Sequence, residues 1–451
     1  MSAIETTLKG MSARSSKPAR PLRLWLVYAG ACVLVLYVLR QGLRFVSPDC
    51  KRQRQLPLST KMPYPSAGAC NHAISPDMEL LQVQYVLRHG ARYANDGEID
   101  RMLQVFELLS DHVPKSWIKP EMVAKEKAMH LSVSGHIESS NLAQRMQQRY
   151  SALLARRQKN IPTVRFISTE FQRTIATANS FRNALDAHDQ MLPVAVIPLA
   201  NDTLLSMKTN CGRWDAGKNS VQAAVNEEQA IFDSIHGAKL QGRISRQLGI
   251  APSALSVDDI QIIYRICGYD MALYDEHTHW CTLFDQPTAA LLELRSDIKY
   301  SREYGSQGAE INGHMACALF TSIVNDIDSA LRDPSTAVST FGFGHAETLM
   351  FVNNLLGLDQ ALGQTAVPIS GNMTLEQGLR RGFRTTKLVP FSSNLGIELY
   401  RDQDSQAFFR LLLNERVVRL PGCAEDLCPL GVLRSKLAGD IGCPFTDMCQ
   451  L

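Results

Sequence analysis

Three absences narrow the class of this chain before any motif is considered. Its 451 residues contain no internal repeat, which sets aside solenoid and array architectures. Beyond residue 54 there is no Lys/Arg stripe of the kind that tracks a nucleic-acid backbone, so no nucleic-acid partner is expected. The cysteines also lack a zinc-type arrangement. Such sites need close Cys-x-x-Cys pairs with matching partners; Cys423/Cys428 meets that spacing only loosely, and Cys443/Cys449 does not. What remains is an ordinary globular composition, 45% apolar and 20% charged, long enough for a core domain with a substantial insertion.

The net charge of +3 is unevenly spread. Residues 1–54 hold ten Lys/Arg against two Asp/Glu, and the remainder holds 37 against 42, so the basic character belongs to the tail. Within that tail, Leu24–Leu39 is an uncharged run of 16 residues with Arg20 and Arg23 before it and Arg40 and Arg44 after it. As a helix it covers about 24 Å of the roughly 30 Å hydrocarbon layer. Snorkelling arginines, with Leu43, Phe45 and Val46 extending the apolar stretch, make up the difference. A cleaved signal peptide would want a small-residue site after the run, where Leu39-Arg40-Gln41 stands instead. A buried core helix would rarely be bracketed by arginines. The expectation is a single N-terminal transmembrane signal anchor over 22–46, behind a cytosolic tail, 1–21.

The flanking charges do not orient this anchor, since five basic residues lie on each side by Arg54. The cysteines are more telling. Of 11, Cys32 lies in the span; the other ten form an even set, four of them in the last 29 residues, as suits disulfides in an oxidising compartment. Two glycosylation sequons, Asn201-Asp-Thr203 and Asn372-Met-Thr374, point the same way. The expected topology is therefore single-pass type II, with the C-terminal part lumenal or extracellular. The short span suits the thin membranes of the early secretory pathway, such as the endoplasmic reticulum.

Residues 47–76 carry five prolines and read as a stem. After them, one pattern occurs three times. Leu80–Leu87 reads as a strand and ends at Arg88-His89-Gly90. Val164–Ile167 reads as a strand that runs through Ser168-Thr169 into a helix reaching Leu185. Ser339–Phe343 is a third, ending at Gly344-His345-Ala346-Glu347 before a helical stretch. Strand, polar turn and helix in this order mark an α/β domain with parallel strands, whose ligands bind beyond the strands' carboxyl ends. Between about 200 and 300 the character is helical, with Ile231–Leu248 and Asp258–Tyr274 at helical spacing. The expected division is an α/β core over 77–200 and 301–451, with a helical cap inserted over 201–300.

Arg88-His89-Gly90-Ala91-Arg92 is the most specific element. A histidine attacks phosphorus only when it is neutral and oriented, and the phosphoryl oxygens must meet fixed donors. Two flanking arginines supply forked donors and lower the histidine's pKa, and the glycine lets the backbone come close. His345 can donate to a phosphate oxygen, and Glu347 can protonate a leaving alkoxide. Taken alone, Glu347 reads as an acidic residue in a helix's first turn and His345 as a satisfied core histidine. Arg173, after Ser168-Thr169, is a candidate third arginine.

Together, Arg88–Tyr93 and Phe343–Leu349 resemble the histidine acid phosphatases, and most closely the multiple inositol polyphosphate phosphatases, relatives of the phytases, which carry His-Ala-Glu where typical acid phosphatases carry His-Asp. Trp280–Phe284, Val389–Leu395 and Leu412–Glu415 look similar as well. The resemblance runs from about Glu79 to Glu415. It implies a phosphoglycerate-mutase-like sheet with helices on both faces and a two-step mechanism without metal or other cofactor. His89 would be the nucleophile, Arg88, Arg92, Arg173 and His345 would bind the transferred phosphate, and Glu347 would be the proton donor. The implied substrates are small phosphomonoesters, namely inositol polyphosphates including phytate, and by family analogy 2,3-bisphosphoglycerate. A broad acid phosphatase, or an inactive lumenal phosphate-binding protein on the same fold, are the alternatives. The resemblance also implies a Cys267–Cys281 disulfide. One departure is Ala94, where the family usually has a proline that stiffens the turn. The Arg380, Arg381, Arg384, Lys387 cluster reads by default as a solvated helix face, and would supply a basic cleft only if it faced the site.

Overall fold

Strand β1 (Glu79–Arg88) is buried on both faces, as befits a central strand. Val83, Tyr85 and Leu87 point into one hydrophobic cluster and Leu81 and Val86 into another. The computed structural model describes residues 55–65, 77–155, 164–185, 192–363 and 367–451, all within one compact unit, Cys50–Leu451. The expected cytosolic tail and anchor, and most of the expected stem, lie outside the described residues, as do Cys50 and Cys70. Among the described residues no helix is long and apolar enough to cross a membrane.

Among the described residues seven strands follow β1: β2 (Val164–Thr169), β3 (Val194–Ile197), β4 (Ser339–Gly344), β5 (Asn394–Arg401), β6 (Ala407–Leu413), β7 (Arg416–Val418) and β8 (Cys428–Pro429). The sheet order is β3-β2-β4-β1-β5-β6-β7, with β8 on β6. The first four strands run parallel, but β5, β6 and β7 are antiparallel to their neighbours. The sheet is thus mixed, where the sequence pattern indicated only parallel strands. β5 is buried almost throughout and shows no alternation to mark it.

The main helices are α1 (Asp96–Leu108), α2 (Val133–Arg149), α3 (Gln172–Leu185), α4 (Lys218–Leu248), α5 (Val257–Tyr274), α6 (Gln286–Glu303), α7 (Cys317–Arg332) and α8 (Ala346–Leu356). Leu142 and Met146 of α2 and Phe181 of α3 cover one face of the sheet against Phe166, Phe341 and Phe343. Phe320 and Ile323 of α7 and Leu349 and Val352 of α8 join the core on the other face, which continues through α4, α5 and α6. Helices therefore pack on both faces.

Two expectations need correction. Leu58, Ser59, Thr60, Lys61 and Met62, inside the stretch read as a stem, are buried. Tyr264 donates to the Pro57 carbonyl, and the Phe391 amide donates to the Met62 carbonyl at 2.9 Å, so this segment is part of the fold. The arginine cluster is no solvated face either. Arg381 and Arg384 are buried and pair with Glu293 and Asp297 of α6, whose charges need partners in that interior; Arg380 remains exposed, paired with Glu376. Among the described residues, four disulfides tie the chain: Cys211–Cys449, Cys267–Cys281, Cys317–Cys443 and Cys423–Cys428. The second is the pair the resemblance implied, closing a loop worth about 3 kcal/mol in the chain-entropy account.

Candidate active site

The carboxyl ends of β1, β2 and β4 meet at one cavity of ≈310 Å³, lined by Arg88, His89, Arg92, Arg173, His345 and Glu347 together. All six candidate residues named from the sequence are therefore neighbours, although they come from three separate segments.

The loop after β1 is held from every side. The His89 amide donates to the Gly344 carbonyl of β4 at 3.1 Å, and the His89 carbonyl accepts from Ser392 at 3.1 Å. Gly90 donates to Thr177 of α3 at 3.1 Å, and Ala91 donates to Glu138 of α2 at 2.9 Å. Gly90 has no positive φ, so conformational freedom is not what this glycine provides. A Cβ there would lie 2.5 Å from the carbonyl oxygen of Gly135 in α2, and a Cβ on Gly135 would lie 2.2 Å from that of Ala91. Two glycines are needed for loop and helix to touch backbone to backbone. Next to them, Arg92 bridges to Leu131, Tyr93 donates to the His130 carbonyl and Met129 to the Ala94 carbonyl, both at 3.0 Å. This short antiparallel pairing stiffens the turn where Ala94 replaces the family's proline.

His89 has a defined orientation. Its Nδ1 lies 2.8 Å from the Gly90 carbonyl, which can only accept, so Nδ1 carries the proton and Nε2 keeps its lone pair. Burial first, and then Arg88, Arg173 and Arg92, hold the imidazole well below its ordinary pKa, so it is neutral. The sequence argument credited the arginines; desolvation is the larger cause.

Arg88 spends Nη1 on the carbonyls of Thr60 (2.8 Å) and Val389 (2.6 Å) and lies over the Phe391 ring at 4.3 Å. Arg92 donates to the Tyr93 carbonyl at 2.6 Å, and Arg173 lies over Phe171 at 4.6 Å. Each of the three has a buried Nε with no hydrogen-bond partner among the described residues. Three buried guanidinium side chains lining one cavity are a receptor for an oxyanion. Burial lowers Arg88 and Arg173 to about 10, still cationic at neutral pH.

His345, at the N-terminus of α8, accepts from Arg173 through Nδ1 at 3.2 Å, so its Nε2 bears the proton, 3.2 Å from Thr169 Oγ1. Burial leads the causes that lower it to about 3. Glu347, in the first turn of α8, accepts from Lys208 Nζ at 2.6 Å. Burial works against its charge, but Lys208 and His345 outweigh burial and hold it well below the usual carboxylate range.

Sequence reasoning missed Lys61, Arg265 and Lys299, which line the same cavity with Glu98 and Glu303. Lys61 pairs with Glu98 at 3.0 Å, and Arg265 approaches the same carboxylate at 3.8 Å. Lys61 belongs to the proline-rich stretch, and the other two sit on helices whose spacing advertised only packing. Lys208, outside every motif, was missed as well.

The segments that carry this arrangement fall within a match to a known family. The histidine phosphatase superfamily (branch 2) matches residues 79–414, well over half of the chain, and the chain belongs to that superfamily. Among named relatives, it is 25% identical over 405 residues to multiple inositol polyphosphate phosphatase 1 of Gallus gallus, covering 86% of this chain and 87% of the relative. The Homo sapiens protein of the same name is 24% identical, with 82% of each chain covered. In fold, it is similar to the phytase from D. castellii (TM-score 0.70, 15% identity, 87% of this chain and 86% of that one). It is also similar to Bifidobacterium longum multiple inositol polyphosphate phosphatase in complex with inositol hexasulfate (TM-score 0.67, 17% identity, 87% and 100%).

Proposed function

We propose that this protein is a phosphomonoesterase that hydrolyses inositol polyphosphates, phytate and its lower forms, through a phosphohistidine intermediate. The observation that carries the reading is the single cavity on which a neutral, oriented His89 meets three buried arginines and Glu347. His89 Nε2 attacks phosphorus while the bond to the leaving oxygen breaks, and that oxygen takes its proton from Glu347. Water then attacks the phosphohistidine, the P–N bond breaks, and the Glu347 carboxylate takes the water's proton. Arg88, Arg92 and Arg173 neutralise the phosphoryl oxygens throughout, with His345 keeping Arg173 in position and turning to donate as the phosphate arrives.

A substrate with several phosphates is favoured by the cations beyond the first ring. Lys61, Arg265 and Lys299 give this cavity six cationic side chains against three carboxylates, although the described domain is mildly acidic as a whole. The two named relatives are multiple inositol polyphosphate phosphatases, named for the same substrate class. Arg265 of α5 and Lys299 and Tyr300 of α6 reach the site, which supports the helical segment 201–300 as its cap. The disulfides among the described residues, and the exposure of Asn201 and Asn372 in their sequons, support a lumenal or extracellular position behind an N-terminal anchor.

The test is phosphate release from phytate by the full chain at pH 4 to 8 with chelator present, beside His89→Ala. Wild-type release, with less than about a hundredth remaining in the variant, is the expected result. Residual activity above that level would remove His89 as nucleophile. Release from aryl phosphates without release from phytate would favour a broad acid phosphatase.

A further inference from the structure

Glu347 cannot donate a proton while Lys208 holds it as a carboxylate. The pair sits at a boundary. Glu347 lines the ≈310 Å³ catalytic cavity, whereas Lys208 lines a second cavity of ≈680 Å³, and the two cavities share Glu303 and Tyr304. The backbone beneath Lys208 is fixed. Thr348 of α8 donates to the Leu205 carbonyl at 2.5 Å, Asp202 accepts from the Leu205 amide at 2.7 Å, and Cys211 is bonded to Cys449. The side chain is not fixed in the same way. It is 28% exposed, its ammonium lies 5.4 Å over the Tyr304 ring, and its four-carbon stem can swing toward the larger cavity without moving the loop.

Resting on the phosphatase reading above, we propose that Lys208 is the residue that makes this site prefer substrates with neighbouring phosphates. A phosphate beside the scissile one draws the ammonium off Glu347 into the larger cavity. Glu347 then takes a proton from solvent and delivers it to the leaving oxygen. A substrate with a single phosphate leaves the ion pair closed and Glu347 ionised. The other charged or titratable groups facing Glu347 are His345 on its own helix, Arg88 and Arg92 after β1, Arg173 of α3, and Glu303 and Tyr304 of α6. Glu303 has its own partner, Lys299 at 3.6 Å, and the three arginines are committed to the transferred phosphate, so Lys208 is the cation whose departure changes the acid.

The experiment measures kcat and KM separately from pH 4 to 8 on inositol hexakisphosphate and on glycerol 2-phosphate, for wild type, Lys208→Met and Lys208→Arg, because the pH profile of kcat reports the acid in the enzyme–substrate complex. With wild type, kcat on the monophosphate declines at a pH about one unit lower than on the hexakisphosphate. Lys208→Met removes that separation and raises monophosphate turnover about tenfold near pH 6, the effect of one unit in the acid's pKa. The same variant raises KM for the hexakisphosphate about tenfold, through loss of one charged contact. Lys208→Arg keeps the preference. Equal losses on both substrates with unshifted pH profiles, in variants with wild-type circular dichroism, would overturn the proposal while leaving the phosphatase reading intact. Wild type inert toward both substrates would remove the two together.

Discussion

Lys61 and Glu98 form a buried ion pair, Nζ to Oε1 3.0 Å, in which one carboxylate serves three cations: Arg92 and Arg265 also bear on Glu98. Burial therefore costs the ammonium more than Glu98 returns, and Lys61 is lowered to about 7. The ammonium is charged below that pH and neutral above it. An anionic substrate gains from Lys61 only while it is charged. Lys61→Met should thus lower kcat/KM on inositol hexakisphosphate about tenfold at pH 5.5, the worth of a charged hydrogen bond. The deficit should narrow above pH 7, because the wild type then loses the same charge. A ratio constant from pH 5 to 8 would show that Lys61 acts by packing alone.

Glu347→Gln keeps the shape of the side chain and its contact with Lys208 but cannot give up a proton. Substrates with poor leaving groups, such as inositol phosphates, should slow far more than p-nitrophenyl phosphate, whose phenolate leaves unaided. A plot of log kcat against leaving-group pKa should steepen in the variant. The same slope in both proteins would count against Glu347 as the acid.

Arg381 is almost wholly buried, bonded to Asp297 and close to Glu293, with Arg384 completing the group. Arg381→Met leaves two interior carboxylates short of a partner and should cost about 3–5 kcal/mol, read as a lower urea midpoint at pH 7. The turnover number of the molecules that remain folded should not change, since none of these groups lines the catalytic cavity. A loss below about 1 kcal/mol would mean that solvent reaches the cluster.

The chemistry was legible where it is contiguous. Arg88–Arg92 and Gly344–Glu347 each follow a strand of ordinary composition, so strand, turn and reactive residue can be read in one window, and the observed strand ends agree within a residue or two. The helix α5 was equally clear from apolar spacing. The antiparallel half was not, because β5 carries Glu398 in its centre. That carboxylate is buried between Arg149 (2.8 Å) and Arg410 (2.6 Å), and a charged residue in a strand argues for exposure until its partners are known. The same holds for Lys61, Lys208 and Lys299. Each is an isolated lysine in sequence, and only the fold supplies the acid or the cavity that gives it a role.

The contact between Gly90 and Gly135 binds the histories of two distant positions. Neither can take up a side chain unless the helix retreats, and a retreating α2 would carry off the support that Glu138 gives to Ala91. Drift at either site is therefore paid in the aim of His89 rather than in hydrophobic burial, of which neither glycine has much to lose. Changes here should be purged in lineages that keep the enzyme and should accumulate early in copies that have lost it, while the sheet beneath still looks sound.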